Sequence, residues 1–321
     1  MAMLIPTSPA FNQPGGLVVT HAIPAEAPGG LADSRRQLAN HVTTLRQPAA
    51  SSPRPFLHPV RSLAGATVTE AAPGDHPHHL GLSIAFSDVN GTNFWGGSTF
   101  TAATGPRLLA NHGRQVPRDW RTSVAGGIVT EEGRVSWRSK DDDELAVEQR
   151  RIERLPHPGA GSWSLSLASV IVPAAGVQRF EVSSSAVKGR AGAGYGGIFW
   201  RFPTGSGEPL LLSDAGSGAD AAHGSPSPWL SVSMRIEGSP VSVVLAQEPG
   251  RMLPWFVRAD GYLGAGPAVA WAEPALVDRR NPLKLALHAV IHDGPIATAA
   301  HALELLNQHP LINPGSPDRT S

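Results

Sequence analysis

The chain has 321 residues, no cysteine, and 26 basic residues against 26 acidic ones, for a formal charge of zero. Disulfides, thiolate metal sites and a cysteine nucleophile are excluded at once, and no whole-chain field draws the protein to nucleic acid or to an anionic membrane. The stretch "MAMLIPTSPAFNQPGG" carries neither a basic n-region nor a long apolar run, so a soluble, cytoplasmic protein with no membrane partner is expected.

Thirty-five glycines and 30 prolines punctuate short apolar segments along the whole length, which is the rhythm of strands. Residues 1–52 are rich in Pro, Ala and Gly and read as a poorly defined N-terminal segment, with a short strand at Gly16–His21 and a short helix or strand within "LADSRRQLANHVTTLRQ". Residues 53–321 read as a single β-sandwich domain. Strands are expected at Ala66–Thr69, Leu80–Phe86, Gly127–Thr130, Arg134–Arg138, Leu145–Leu155, Ser162–Val172, Gln178–Ala186 and Gly197–Phe202. They continue at Leu210–Leu212, Trp229–Ile236, Ser239–Gln247, Trp255–Val257, Ala268–Trp271 and Leu283–His292. In "SWSLSLASVIV", Trp163, Leu165 and Leu167 alternate with small residues before the run turns apolar, as in a half-buried strand becoming a buried one. "SKDDDELAVEQRR" reads as a solvated hairpin arm, and "PIATAAHALELLNQ" as a closing helix with Pro295 in its first turn and Ile296, Ala300, Leu303 and Leu306 on one side. The expected fold class is all-β, a large antiparallel β-sandwich with a short C-terminal helix.

"GAGYGG", Gly192–Gly197, has the spelling of a dinucleotide loop. That motif needs a helix to open at its third glycine, and here the strand-like "IFWRFP" follows. No nucleotide cofactor is expected; the glycines suit a tight loop near a ligand, with Tyr195 and Arg201 at its edges.

"DHPHHLGLSIAFSDVNGTNFWGG", Asp75–Gly97, holds the densest polar cluster. If Asp75–His79 is extended, as Pro77 favours at His76, then His76 and His78 share one face and His79 takes the other. Imidazoles at i, i+2 suit a divalent metal held by His76, His78 and Asp75, with Glu70, His58 or His112 available to complete the set. No glutamate follows between Leu80 and Asp88, as a cupin-type site would require. The plainer reading has the histidines bonding one another and the backbone at a strand entrance. Asn90-Gly91 marks a tight turn that brings Asn93 and Trp95 to a loop tip, where amides bond sugar hydroxyls and an indole covers the ring; the alternative is an ordinary hairpin. Eight tryptophans stand against two tyrosines, and Trp200, Trp229 and Trp255 neighbour polar residues.

In order over about residues 50–295, "RPFLHPVRSLAGATVTEAAPGDHPHHLGLSIAFSDVNGTNFWGG", "LANHG", "GRAGAGYGGIFWRFP", "HGSPSPWL", "PWFVRADGY" and "HAVIHDG" resemble the bacterial PmoA-like family, labelled methane oxygenase PmoA. The resemblance implies a soluble β-sandwich akin to the supersandwich of galactose mutarotase-like proteins, in settings of carbohydrate breakdown alongside sugar oxidoreductases. The chain departs from the pattern in its loose, Pro/Ala-rich N-terminus.

The expected function is a carbohydrate-active enzyme working on a sugar or glycoside, keto-sugars included, by elimination, hydrolysis or epimerisation. His76, His78, His79 and His58 are the candidate acid/base groups. Asn93, His112, Arg190, Tyr195 and Arg201 are candidates to bond substrate oxygens, with Trp95 and Trp255 as walls. A non-catalytic carbohydrate-binding protein and a soluble metal-dependent oxygenase are the rival readings. The expected partner is a small-molecule carbohydrate, with homo-oligomerisation left open.

Overall fold

Two sheets form because the strands carry apolar side chains at every second position, and each sheet must bury one such face. In the computed structural model, which describes residues 38–44 and 47–309, a six-stranded front sheet runs Ala39–Val42, Phe56–Val60, Leu82–Phe86, Gly196–Arg201, Gly264–Pro267, Trp255–Arg258. A nine-stranded back sheet runs Gly216–Ser217, Leu210–Ser213, Trp229–Ile236, Ser239–Gln247, Leu283–His292, Ser162–Pro173, Glu144–His157, Ile128–Arg138, Arg114–Ala125. Neighbours in both sheets pair antiparallel. The core lies between them: Leu82, Ile84, Phe86, Trp200 and Trp255 from the front meet Trp137, Trp163, Leu165, Leu167 and Leu245 from the back. The fold is thus the expected all-β antiparallel sandwich. No described helix is long and apolar enough to cross a membrane.

Three back-sheet strands, Trp229–Ile236, Ser239–Gln247 and Leu283–His292, run end to end as the pattern predicts. The two segments expected at Gly127–Thr130 and Arg134–Arg138 are one strand, Ile128–Arg138, continuous through Gly133; a Cβ there would lie 2.6 Å from the Trp120 ring. Ala268–Trp271 is not a strand. The strand is the preceding Gly264–Pro267, whose Gly266 passes so close to Ile198 that a Cβ would meet its carbonyl oxygen. Ala66–Thr69 contributes an isolated bridge, Arg61 to Thr67. Arg114–Ala125 escapes the pattern because it is an edge strand, mostly exposed, with no apolar alternation. The Gly16–His21 strand lies outside the described residues.

The hairpin arm does form, joining Ile128–Arg138 to Glu144–His157, but it is not wholly solvated. Glu148 and Arg150 turn inward, and the Glu148 carboxylate accepts from Trp137 Nε1 at 2.9 Å and from Arg150 Nε at 2.6 Å. The closing helix is Ala299–Asn307, shifted from the expected start because Thr298 caps it and accepts from the His301 N–H. Its buried face is Ala302, Leu305 and Leu306; Leu303 is exposed. That face packs with Ile296 on Trp229, Val244 and Val290, covering the outer side of the back sheet. Within "LADSRRQLANHVTTLRQ", Ala39–Val42 is a strand, at the edge of the front sheet.

Candidate functional site

The outer face of the front sheet carries the residues of opposite parity to the core. Ala85, Phe199 and Phe256, each one position from a core residue, form an aromatic cluster with Trp95, against which Tyr195, Tyr262 and Trp271 pack. Loops rise around this cluster and border an open cavity of about 830 Å³.

Asp75–His79 forms one wall. It is not extended: the His76 N–H bonds Pro73 O at 3.1 Å and the His79 N–H bonds His76 O at 2.9 Å, giving two successive turns. The turns draw all three rings together, so the predicted separation of His79 from its neighbours does not hold. His79 stacks on His76 at 4.6 Å between centroids and meets His78 edge-on at 4.7 Å. Beyond it stand Trp95, Phe199 and Tyr262, at 5.8, 5.7 and 4.8 Å. His76 Nδ1 bonds Asp75 Oδ2 at 2.7 Å. His79 is 2 % exposed, and its Nδ1 is buried without a hydrogen-bond partner.

The "NFWGG" loop closes over His78. Gly96 and Gly97 both have positive φ, and a Cβ on Gly97 would lie 2.7 Å from His78 Cε1. Asn93 shapes this loop: its Oδ1 accepts the N–H groups of Trp95 and Gly96, both at 2.8 Å, and its Nδ2 donates to Thr99 Oγ1 at 3.1 Å. His112 Nε2 donates to Gly97 O at 2.7 Å. Beneath both loops lies Arg54, 4 % exposed. It donates to Ser83 Oγ on the sheet, to the carbonyls of Ser51 and Ser52, and to those of Trp95 at 3.0 Å and His78 at 2.8 Å. The segment just before residue 53 is therefore part of the site's foundation.

The opposite wall comes from chain 100 or more residues away, with Arg190 and Tyr195 on the glycine-rich loop, His223 just after the short helix Ala219–Ala222, and Phe256, Arg258 and Tyr262 on or near the edge strand. The Tyr195 and Ser185 hydroxyls share a 2.9 Å hydrogen bond. His223 Nδ1 accepts from the Val257 N–H at 3.2 Å, so the proton of its neutral ring sits on Nε2.

Electrostatics keep the inner rings uncharged. Burial, with the Arg54 charge second, pushes His78 down to about 4. Burial and the adjacent His78 push His79 far below the usual histidine range. Burial raises Tyr262 to about 12, so it remains a phenol. Asp75 is held below the usual carboxylate range, chiefly by its hydrogen bond from His76.

The predicted residues therefore divide. Asp75, His76, His78, His79, Trp95, Arg190 and Tyr195 line the cavity. Asn93 and His112 are buried loop braces, their polar atoms turned to protein partners. His58 stands outside the lining, bonded through Nδ1 to Thr69 Oγ1 at 3.0 Å. Arg201 lies behind it, gripping Glu70 Oε2 through Nε and Nη2 at 2.9 and 2.6 Å. Trp255 is a core residue with no exposure, its Nε1 donating to Ser227 O at 2.7 Å; the next residue, Phe256, is the one in the wall. Phe256, Arg258 and Tyr262 sit in the "PWFVRADGY" stretch, where strand parity was the available signal. As for a metal on Asp75, His76 and His78, His76 Nδ1 is engaged by Asp75, and among the described residues no group of three or more His, Asp or Glu is placed to hold one.

A family model matches residues 31–306, from ahead of the first described strand into the last turn of the last helix. The chain belongs to DUF6807, a family of unknown function. The match takes in both sheets and every residue that lines the DUF6807 cavity described above. No curated protein matches the chain.

Proposed function

We propose that the protein binds a sugar or glycoside, keto-sugars included, in the front-sheet cavity and catalyses a proton transfer on it, leading to elimination, hydrolysis or epimerisation, with His76 as base. The Asp75–His76 pair carries this reading. A carboxylate only accepts, so the neutral imidazole keeps its proton on Nδ1 and presents the Nε2 lone pair, the arrangement of a general base held by an orienting group. Aromatic faces of Trp95, Tyr195 and Phe256 suit the apolar side of a pyranose, and the tyrosine hydroxyls and arginines offer bonds to its oxygens. The resemblance to PmoA-like and galactose mutarotase-like proteins supports the same substrate class. No step is assigned to a metal.

Calorimetric titration with keto-sugars and glycosides, followed by product analysis of the same mixtures, tests the proposal. Binding with turnover is expected, with turnover reduced ~100-fold or more in His76→Gln, and unchanged by dialysis against a chelator. Binding without turnover across the panel would leave a non-catalytic carbohydrate-binding protein. Absence of binding would end the sugar reading.

A further inference from the structure

Two arginines flank Tyr262 at one end of the cavity. The guanidinium carbons of Arg201 and Arg258 lie over the Tyr262 ring, 4.6 and 5.4 Å from its centroid. Arg190 lines the same cavity, on the glycine-rich loop. Of these three, Arg201 is ion-paired, with Glu70, and even so its Nη1 is buried without a partner on a residue 3 % exposed. Arg190 and Arg258 line the cavity, and among the described residues neither meets a carboxylate; the Arg258 Nε donates to a backbone carbonyl, Asp260 O, at 2.9 Å. Deeper down, Arg54 has only neutral acceptors.

Three carboxylates also line the cavity: Asp75 is hydrogen-bonded to His76, and the Asp220 and Asp260 side chains are exposed; among the described residues none of the three is ion-paired with Arg190 or Arg258. A guanidinium presents a planar fork that fits a carboxylate through two parallel N–H bonds, a fit a sugar hydroxyl does not offer.

We propose that the Tyr262 end of the cavity, bounded by Arg190 and Arg258, is a carboxylate subsite, and that the preferred ligand is an acidic sugar such as a uronate or aldonate. The proposal rests on the sugar reading above and narrows it to one substrate class. In a bound complex the Arg190 and Arg258 guanidiniums take the carboxylate while the aromatic wall covers the ring. The sugar's reacting carbon then lies toward His76, whose ring is 5.0 Å from Tyr262.

Titration calorimetry with matched pairs, galactose against galacturonate and glucose against glucuronate, with gluconate as the open-chain acid, tests the subsite. The acidic member of each pair is expected to bind roughly tenfold or more tightly, about the gain of one charge-assisted hydrogen bond. The preference should shrink as salt is raised, and fall to within about twofold in an Arg190→Gln/Arg258→Gln variant whose circular dichroism is unchanged. Neutral and acidic members binding alike, in the native protein, would overturn the subsite and leave the sugar reading standing. An acid preference that survives the double substitution would also overturn it. If no member of the panel binds, both proposals fall together.

Discussion

Gly97 lies against the imidazole of His78 so closely that a Cβ on it would be 2.7 Å from the ring. The two residues, 19 positions apart, form one unit, and the glycine is needed twice over, since its φ is +68°. Gly97→Ala should lower stability by about 1–3 kcal/mol and displace His78. Urea denaturation and ligand titration of the same variant check it; a stability equal to the parent's would show that the loop yields without cost.

Arg54→Lys should be far from conservative. A lysine offers three donors from a single point, and the fork that now serves Ser83 and four carbonyls is lost. Each buried carbonyl left unpaired costs about 1–3 kcal/mol. Denaturation should show a loss of at least that size, and ligand affinity should weaken because the His78 and Trp95 loops are no longer tied to the sheet. Affinity kept at the parent's value would show the loops to be self-supporting.

Trp255 and Trp95 should respond in opposite ways. Trp255→Phe removes a core indole whose Nε1 serves Ser227 O, and should reduce stability by about 1–3 kcal/mol while leaving ligand affinity unchanged. Trp95→Phe changes the cavity wall, and affinity should fall. Titration and thermal melting of both variants, run side by side, make the comparison. A weakened ligand in Trp255→Phe would contradict its assignment to the core.

Acid should weaken the fold through the buried imidazoles. His78 sits at about 4 when folded against 6.5 for an unperturbed ring, so between those values the unfolded chain binds a proton that the native state refuses. Stability is then complete above about pH 6.5 and is lost as pH falls toward 4. His79 and His309, both depressed by burial, act in the same direction. Urea midpoints measured from pH 7 to pH 4 should fall, and the slope should be shallower in His78→Gln. An unchanged slope would mean that His78 does not carry this linkage.

Strand positions were legible because their cause is local. Alternation and Gly/Pro punctuation mark Trp229–Ile236, Ser239–Gln247 and Leu283–His292 within a few residues of chain, and the histidine cluster is a feature of composition. Parity within a strand is also local, but which parity faces the core is not: Trp255 and Phe256 exchange roles according to the face on which the back sheet packs. Nor could the sequence show that two turns around Pro77 would gather His76, His78 and His79, or that Asn93 and His112 would serve a loop instead of a ligand. Tyr262 and Arg258 come to share a cavity with the histidines because Gly196–Arg201 pairs with Leu82–Phe86 on one side and Gly264–Pro267 on the other. The sequence by itself determined the well-patterned strands, the turn residues and the chemistry available. The tertiary structure decided which side chains share the cavity, because that depends on hydrogen-bonded pairing between strands more than 60 residues apart and on the burial it enforces.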